Sequence, residues 1–212
     1  MISGVDAALI IAPEHDGLLP AVLERVEQSG VLNLGSSSVG VRGCSNKHAL
    51  GQRLSRLGLR VPFGELGLQH VPSMLDRWGE VVVKPNSGAG CIDTFACRSV
   101  TDVEALPPRS DWLIQQRMPG LAASVAFIVP HHGTPIPLRA GIQAVSAKTT
   151  ANHGGTGRLA YSGGTLPLAP DLEQRATAHA APVQPAPALQ GWSPARIDST
   201  ERVSREIGRA HV

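Results

Sequence analysis

Lysine is nearly missing from this chain. Of its 19 basic residues only Lys47, Lys84 and Lys148 are lysine, and the rest are arginine. Aromatic residues make up 3% of the sequence, too few for base-stacking platforms, and a formal net charge of +2 supplies no broad basic face. Nucleic acid is therefore not the expected partner. The apolar runs at 7–12 and 125–129 fall far short of the roughly 20 residues that a bilayer span requires. No charged n-region followed by an apolar h-region opens the chain. A soluble, cytoplasmic protein with no membrane partner is expected. Three cysteines, Cys44, Cys91 and Cys97, are odd in number and show no C-x-x-C spacing. That excludes a disulfide framework or zinc pattern and leaves free thiols. No carboxylate lies between Trp112 and Pro170. His131, His132 and His153 therefore read as loop residues rather than metal ligands, and no metal-ligating residue is assigned.

The length suits one ordinary domain or two small ones, and 42% hydrophobic residues can bury a core. Along the chain, 7–12 reads as a buried strand and 18–28 as an amphipathic helix closed by Gly30. A short strand at 31–34 completes a β-α-β opening of parallel-sheet type. Asn46 is placed to cap a helix over 47–57, with Gly58 ending it. A short helix over 71–78, strands at 80–84, 93–97 and 112–116, and a helical turn near 101–105 follow. A long strand at 121–129 is expected to pair with 137–145 across His131-His132-Gly133, and 159–162 is the last expected strand. Beyond Leu172, Ala and Pro dominate, and Pro182, Pro185, Pro187 and Pro194 interrupt any helix past Ala181. A back-translation of Glu206 to Val212 reproduces the opening of a common short-read sequencing adapter. Residues 173–212 are thus expected to be an aberrant or disordered tail on a truncated chain.

The chemistry concentrates around two of the three lysines. Val81-Val82-Val83-Lys84-Pro85 is an apolar strand ending in a cation, and it runs into Asn86-Ser87-Gly88-Ala89-Gly90. Gly88 and Gly90 let the backbone approach an anion and point N–H groups at it. Lys84 can add a charge-assisted hydrogen bond to a phosphate oxygen. By itself such a loop is more often an ordinary hairpin turn. Lys47 stands 37 residues earlier on a separate helix, so two point charges could converge on one polyphosphate. Trp112-Leu113-Ile114-Gln115-Gln116-Arg117-Met118-Pro119-Gly120 reads as a strand entering a short connector that could offer C=O and N–H to an adenine edge. No G-x-x-x-x-G-K-[ST] occurs, and the glycine loop follows its strand lysine, which excludes a P-loop and argues against a kinase arrangement.

The order Asn46-Lys47, Val83-Lys84-Pro85, Gly88-Ala89-Gly90 and Ile114-Gln115-Gln116-Arg117-Met118-Pro119-Gly120 resembles the ATP-grasp superfamily. The blocks Leu121-Ala122-Ala123-Ser124-Val125-Ala126-Phe127 and Tyr161-Ser162-Gly163-Gly164-Thr165-Leu166-Pro167 extend the likeness to its carboxylate–amine ligase branch, which includes tyramine–glutamate ligases. The resemblance covers about residues 5–172 and implies an α+β fold with α/β character, a partial ATP-grasp fold preceded by the end of a Rossmann-like pre-ATP-grasp domain. The implied segments are 1–40 for that domain, 41–115 and 116–172 for the two ATP-grasp subdomains, with ATP in the cleft between them, and 173–212 for the tail.

Carried over by position, the resemblance makes Lys47 and Lys84 the phosphate lysines and Ser87, Gly88, Ala89 and Gly90 the lid over the phosphates. Gln116 C=O and Met118 N–H would meet the adenine, and Gln115 stands where the family often has Glu. Leu121-Ala122-Ala123 occupies the place of the ribose-binding acid, and Glu14 and Asp16 are candidates to position substrate. The implied reaction joins a small-molecule carboxylate to an amine through an acyl phosphate, with ATP consumed and Mg²⁺ expected for the full-length parent. The family binds that metal through a late acidic residue and a Glu-x-Asn. The sequence contains no Glu-x-Asn, and Asp198 stands where the first ligand would, preceded by Ser193-Pro194, which is poor strand sequence. This chain is therefore expected to be inactive, with a non-catalytic ATP-binding module or a non-functional fragment as the alternatives, and no catalytic residue is assigned.

Overall fold

A computed structural model describes residues 4–12, 15–129, 134–149, 157–180 and 203–207. In chain order its elements are β1 (Ala7–Ala8), α1 (Leu18–Gln28), β2 (Leu32–Asn33), α2 (Ser38–Ser45), α3 (Lys47–Arg56), β3 (Gly64–Leu66), α4 (Val71–Trp78), β4 (Val81–Pro85) and β5 (Phe95–Cys97). They continue with α5 (Val100–Glu104), β6 (Trp112–Gln116), β7 (Ala123–Val129), β8 (Ile136–Pro137), β9 (Gly141–Thr149), β10 (Gly157–Thr165), α6 (Pro170–Ala180) and β11 (Val203–Ile207). The chain divides into two compact units, one from 1–45, 123–141 and 166–208, the other from 46–122, 142–165 and 209–212. This division cuts across the segment 116–172 expected as one subdomain.

In the first unit the expected β-α-β opening is present. Ala7 pairs with Leu32 and Ala8 with Asn33 in parallel register, while α1 buries Leu23 and Val26. Gly30, at φ 76°, takes the left-handed conformation that ends a helix at least strain. α2 was not expected, since Ser38-Val39-Gly40-Val41-Arg42-Gly43 has little helix propensity. A tertiary contact makes it. The Glu27 carboxylate at the end of α1 accepts the Ser38 N–H at 2.8 Å and the Ser38 hydroxyl at 2.6 Å, an anion at the positive end of the helix. In the same unit β7 pairs antiparallel with β8 and with β11, and Glu173 on α6 accepts from Arg139 Nε and the Ala140 N–H. Two elements thus fall within the stretch expected as an aberrant tail: most of α6, and β11.

The expected single strand at 137–145 is two. Pro137 has no N–H to continue a ladder, and the chain leaves β8 there and resumes as β9 four residues later. β9 pairs with β10, which is longer than the expected 159–162 and carries an irregularity between Tyr161 and Gly164, where Gly163 has φ 123°.

The second unit is built on an antiparallel sheet in the order β9-β10-β5-β4-β6-β3. β4 lies between β5 and β6, and all five of its residues are buried. Alternation sends Val81 and Val83 into a core with Val71, Met74, Phe95, Cys97, Val103, Leu106, Trp112 and Ile114. Val82 and Lys84 take the opposite face by the same period. Helices α4 and α5 contribute Val71, Met74 and Val103 to the core, so they cover the Val81 and Val83 side. α5 is short and depends on its capping box: Ser99 Oγ accepts the Asp102 N–H at 3.1 Å, and the Asp102 carboxylate accepts the Ser99 N–H at 3.0 Å. Ser99→Ala is expected to lower the unfolding free energy by about 1 kcal/mol, measured by urea titration.

Candidate functional site

The site begins with the end of β4. Pairing opposite Leu113 and Pro85 opposite Trp112 fixes Lys84 near the edge of the core, with only 1% of its surface exposed. The chain then turns at Asn86, whose three polar groups tie separate elements together. Its N–H donates to the Asp111 C=O at 2.9 Å, its C=O accepts the Lys47 N–H at 2.9 Å, and its Oδ1 accepts the His48 N–H at 2.9 Å. Asn46 caps the same helix by accepting the Ala49 N–H at 2.8 Å. The first N–H groups of α3 are thus held by two asparagines, and the helix carrying Lys47 is anchored to the strand carrying Lys84. Lys47 Nζ donates to the Pro85 C=O at 3.1 Å.

The two expected phosphate lysines are brought together by this joint. Burial, and after it the nearby charge of Lys47, lower the Lys84 pKa from 10.5 to about 7, while Cys91 acts weakly in the opposite direction. In the loop, Ser87 and Gly90 are exposed, Gly88 and Ala89 half-buried. Gly88 has φ 88° and Gly90 φ 72°, and a Cβ built on either would meet no atom within 4 Å. Glycine is needed there for backbone conformation rather than for space. Cys91 at φ 59° and Asp93 at φ 50° adopt the same left-handed region without being glycine. Cysteine seldom takes that region, whereas aspartate does so more readily, so any local strain in the loop falls on Cys91. The loop closes onto the sheet through buried Thr94, whose C=O accepts the Leu159 N–H of β10 at 2.8 Å.

The connector lies at the other end of β4. Gln115 pairs opposite Val82 and Gln116 opposite Val81, so three residues of strand, roughly 10 Å, separate the connector from Lys84. The Gln116 N–H is committed to the Phe63 C=O at 2.8 Å, and Met118 is 47% exposed. Asp16 lies in the other unit in a left-handed turn at φ 56°, and Glu14, His131, His132, His153 and Asp198 fall outside the described residues. Among the described residues no three His, Cys, Asp or Glu side chains cluster as a metal site would require. The described residues therefore assemble no Mg²⁺ site by themselves. Cys44, Cys91 and Cys97 are not in disulfides; burial, then the neighbouring charges of Asp102 and Glu80, push Cys97 up to about 12, and burial raises Cys91. No helix among the described residues is long and apolar enough to cross a membrane.

The sequence pattern gives Asn86 no role beyond opening the glycine loop. Its signal was the pair Asn46-Lys47 and Pro85-Asn86, each joining an asparagine to the end of a secondary element.

Residues 44–191 match the ATP-grasp domain family, and residues 1–41 match the pre-ATP-grasp domain. The chain belongs to the ATP-grasp superfamily. Its fold is the expected α+β, partial ATP-grasp fold behind a pre-ATP-grasp domain. The ATP-grasp match continues past Leu172, the point at which the resemblance was expected to end. Among solved structures, an ATP-grasp superfamily protein from Archaeoglobus fulgidus aligns at a TM-score of 0.59 and 21% identity, over 96% of this chain and 54% of its own. The VanG D-Ala:D-Ser ligase of Enterococcus faecalis aligns at 0.65 and 14%, over 99% of this chain and 65% of its own. The D-alanine–D-alanine ligase of Bacillus anthracis aligns at 0.61 and 17%, over 84% and 60%. At these identities the likeness is one of fold, and the ATP-grasp chain described here spans under two thirds of each of these structures. No relative was found among curated protein sequences.

The buried lysine has a measurable consequence. Between pH 7 and 10.5 the unfolded chain retains a proton that folded Lys84 has released, so the Lys84 contribution to stability rises with pH across that window. Lys84→Met is expected to be more stable than the wild type at pH 7, with the difference in melting temperature shrinking as pH approaches 10.

Proposed function

We propose that this chain binds ATP through Lys47, Lys84 and the backbone of Ser87, Gly88, Ala89 and Gly90. We further propose that the whole protein is an ATP-dependent ligase joining a small-molecule carboxylate to an amine. The observation that carries the reading is the Asn86 joint, which seats two lysines from distant parts of the sequence at the base of one glycine loop. In this reading the β- and γ-phosphates lie under the loop, with N–H groups and the two ammonium groups facing their oxygens. The connector then receives the adenine at Gln116 C=O and Met118 N–H, beside Gln115, at the far end of β4.

The chemistry proposed for the whole protein is transfer of the γ-phosphoryl group to a carboxylate, followed by attack of an amine on the acyl phosphate. An amide forms, and ADP and phosphate leave. The protein acts by positioning and by stabilising charge, with no covalent nucleophile. Structural neighbours named as D-Ala:D-Ser and D-alanine–D-alanine ligases support this class, and the sequence blocks resembling tyramine–glutamate ligases point to the same branch. Cytoplasmic location and Mg²⁺ use belong to the same proposal.

A second reading is favoured by one specific observation. Among the described residues no three His, Cys, Asp or Glu side chains gather to hold a metal ion, which suits a module that binds ATP without turning it over. Release of ADP and phosphate on addition of amino-acid carboxylates and amines would separate the two readings, since a binding module releases neither.

Titration calorimetry tests the nucleotide site itself. Lys84→Met is expected to weaken ATP binding about 10- to 100-fold, the effect of losing one hydrogen bond to a charged group, while Lys148→Ala leaves it unchanged. Equal effects from the two substitutions would overturn the assigned roles. Because Lys84 titrates near 7 in the unliganded protein, and a phosphate favours its charged form, binding should take up a proton. The apparent ATP affinity should therefore fall as pH rises above 7, and the heat of binding should vary with the ionisation enthalpy of the buffer.

A further inference from the structure

We propose that Arg109 is a positioning residue that braces both ends of the glycine loop and thereby sets how the loop closes on a polyphosphate. Arg109 lies in the link between α5 and β6. Its Nε donates to Asp111 Oδ1 at 2.9 Å and one terminal nitrogen to Asp111 Oδ2 at 3.4 Å, in a two-pronged contact. The other terminal nitrogen reaches Asp93 Oδ2 at 3.3 Å. Its guanidinium also stands over the Trp112 ring, 5.6 Å from the centroid, and Trp112 is 1% exposed. The planar group is thus held by a buried aromatic residue on one side and by two carboxylates at its rim.

Those carboxylates mark the two ends of the loop. Asp111 offers its backbone C=O to the Asn86 N–H, at the entrance. Asp93, at φ 50°, is the exit, and its other oxygen lies 3.6 Å from Arg158 of β10. One side chain therefore joins the entrance to the exit, and Ser87 to Ile92 hang between fixed points. The ion pairs are about one third exposed, so they contribute little to global stability. Their effect is on loop geometry and local charge. Without Arg109, Asp93 would keep only Arg158, and Asp111 would stand close to Lys47 with its own guanidinium gone. Both changes disfavour a polyanion under the loop.

This inference rests on the phosphate-loop reading, and the half-buried thiol of Cys91 between the two anchors allows the two to be tested apart. The rate of iodoacetamide labelling, resolved by peptide mass mapping, would be followed at Cys91 with exposed Cys44 and buried Cys97 as internal references. Arg109→Gln is expected to speed Cys91 labelling severalfold while Cys97 stays protected and the melting temperature hardly moves. It is also expected to weaken ATP binding about tenfold, within the usual range for coupling between linked sites. Arg109→Lys, a point charge that cannot bridge two carboxylates, should recover only part of either effect. Should Arg109→Gln fail to fold, Asp93→Ala removes the exit carboxylate from both Arg109 and Arg158 and should loosen the loop in the same way. Unchanged Cys91 labelling and ATP affinity in the folded variants would overturn the brace. Absence of ATP binding by the wild type would instead overturn the phosphate-loop reading, with Cys91 labelling still reporting on Arg109.

Discussion

Placing a lysine on the innermost strand of an antiparallel sheet is the constraint around which this site is arranged. Lys84 occupies a position that alternation would otherwise give to a valine, and its ammonium group is almost wholly removed from water. Burial disfavours its charge, and Lys47 disfavours it further. An anion placed beside both groups would offset the cost of burial and screen the repulsion between them. Elements of the second unit can be understood from that tension: β4 fixes the position of the charge, α3 brings the second one, and the loop between Lys84 and β5 supplies N–H groups without adding bulk.

Asn86 makes this arrangement a single mechanical part. Its backbone and amide groups satisfy the start of α3 and take a carbonyl from the start of β6, so a shift in any of the three elements would be felt by the other two. An aspartate could accept the same two N–H groups, but it would bring negative charge to a place where phosphates are expected to sit. A neutral acceptor at the base of the proposed phosphate site is the consistent choice. The same logic separates the roles of the charged residues around it. Lys47 and Lys84 lie within the joint, whereas Arg109, Asp93, Asp111 and Arg158 form a nearly balanced network at its margin.

Much of this was legible in the sequence because the relevant signals are local. The strand of β6 over 112–116 and the helix of α4 over 71–78 follow from short apolar patterns with clear ends, and glycine punctuation marked the stops of α1 and α3. The scarcity of lysine suggested pairing Lys47 with Lys84, and the family resemblance gave the pair its role, but the 36 residues between them hide the contact itself from any local pattern. What could not be read was tertiary in origin. α2 forms from a weak helical sequence because Glu27 caps it, and β8 and β9 separate at Pro137 instead of making one long strand. The Arg109 bridge joins residues 93, 109 and 111 through side-chain geometry, which residue spacing does not encode.

Binding a nucleotide and using it are separable demands on such a site. Groups that hold the phosphates equally well before and during transfer lower the energy of both states together, and only interactions that strengthen in the transition state accelerate the chemistry. Lys47, Lys84 and the loop N–H groups all face ground-state phosphate oxygens in the proposed complex, so by themselves they account for affinity. Acceleration requires groups aimed at the oxygen that the carboxylate presents and at the charge developing between phosphorus atoms. In the proposed complex the loop could contribute to both, since its closing would tighten N–H contacts to the γ-phosphoryl group as that group moves. Whatever sets that closure in the proposed complex, through the Asn86 entrance and the Asp93 exit, would therefore bear on phosphoryl transfer as well as on affinity.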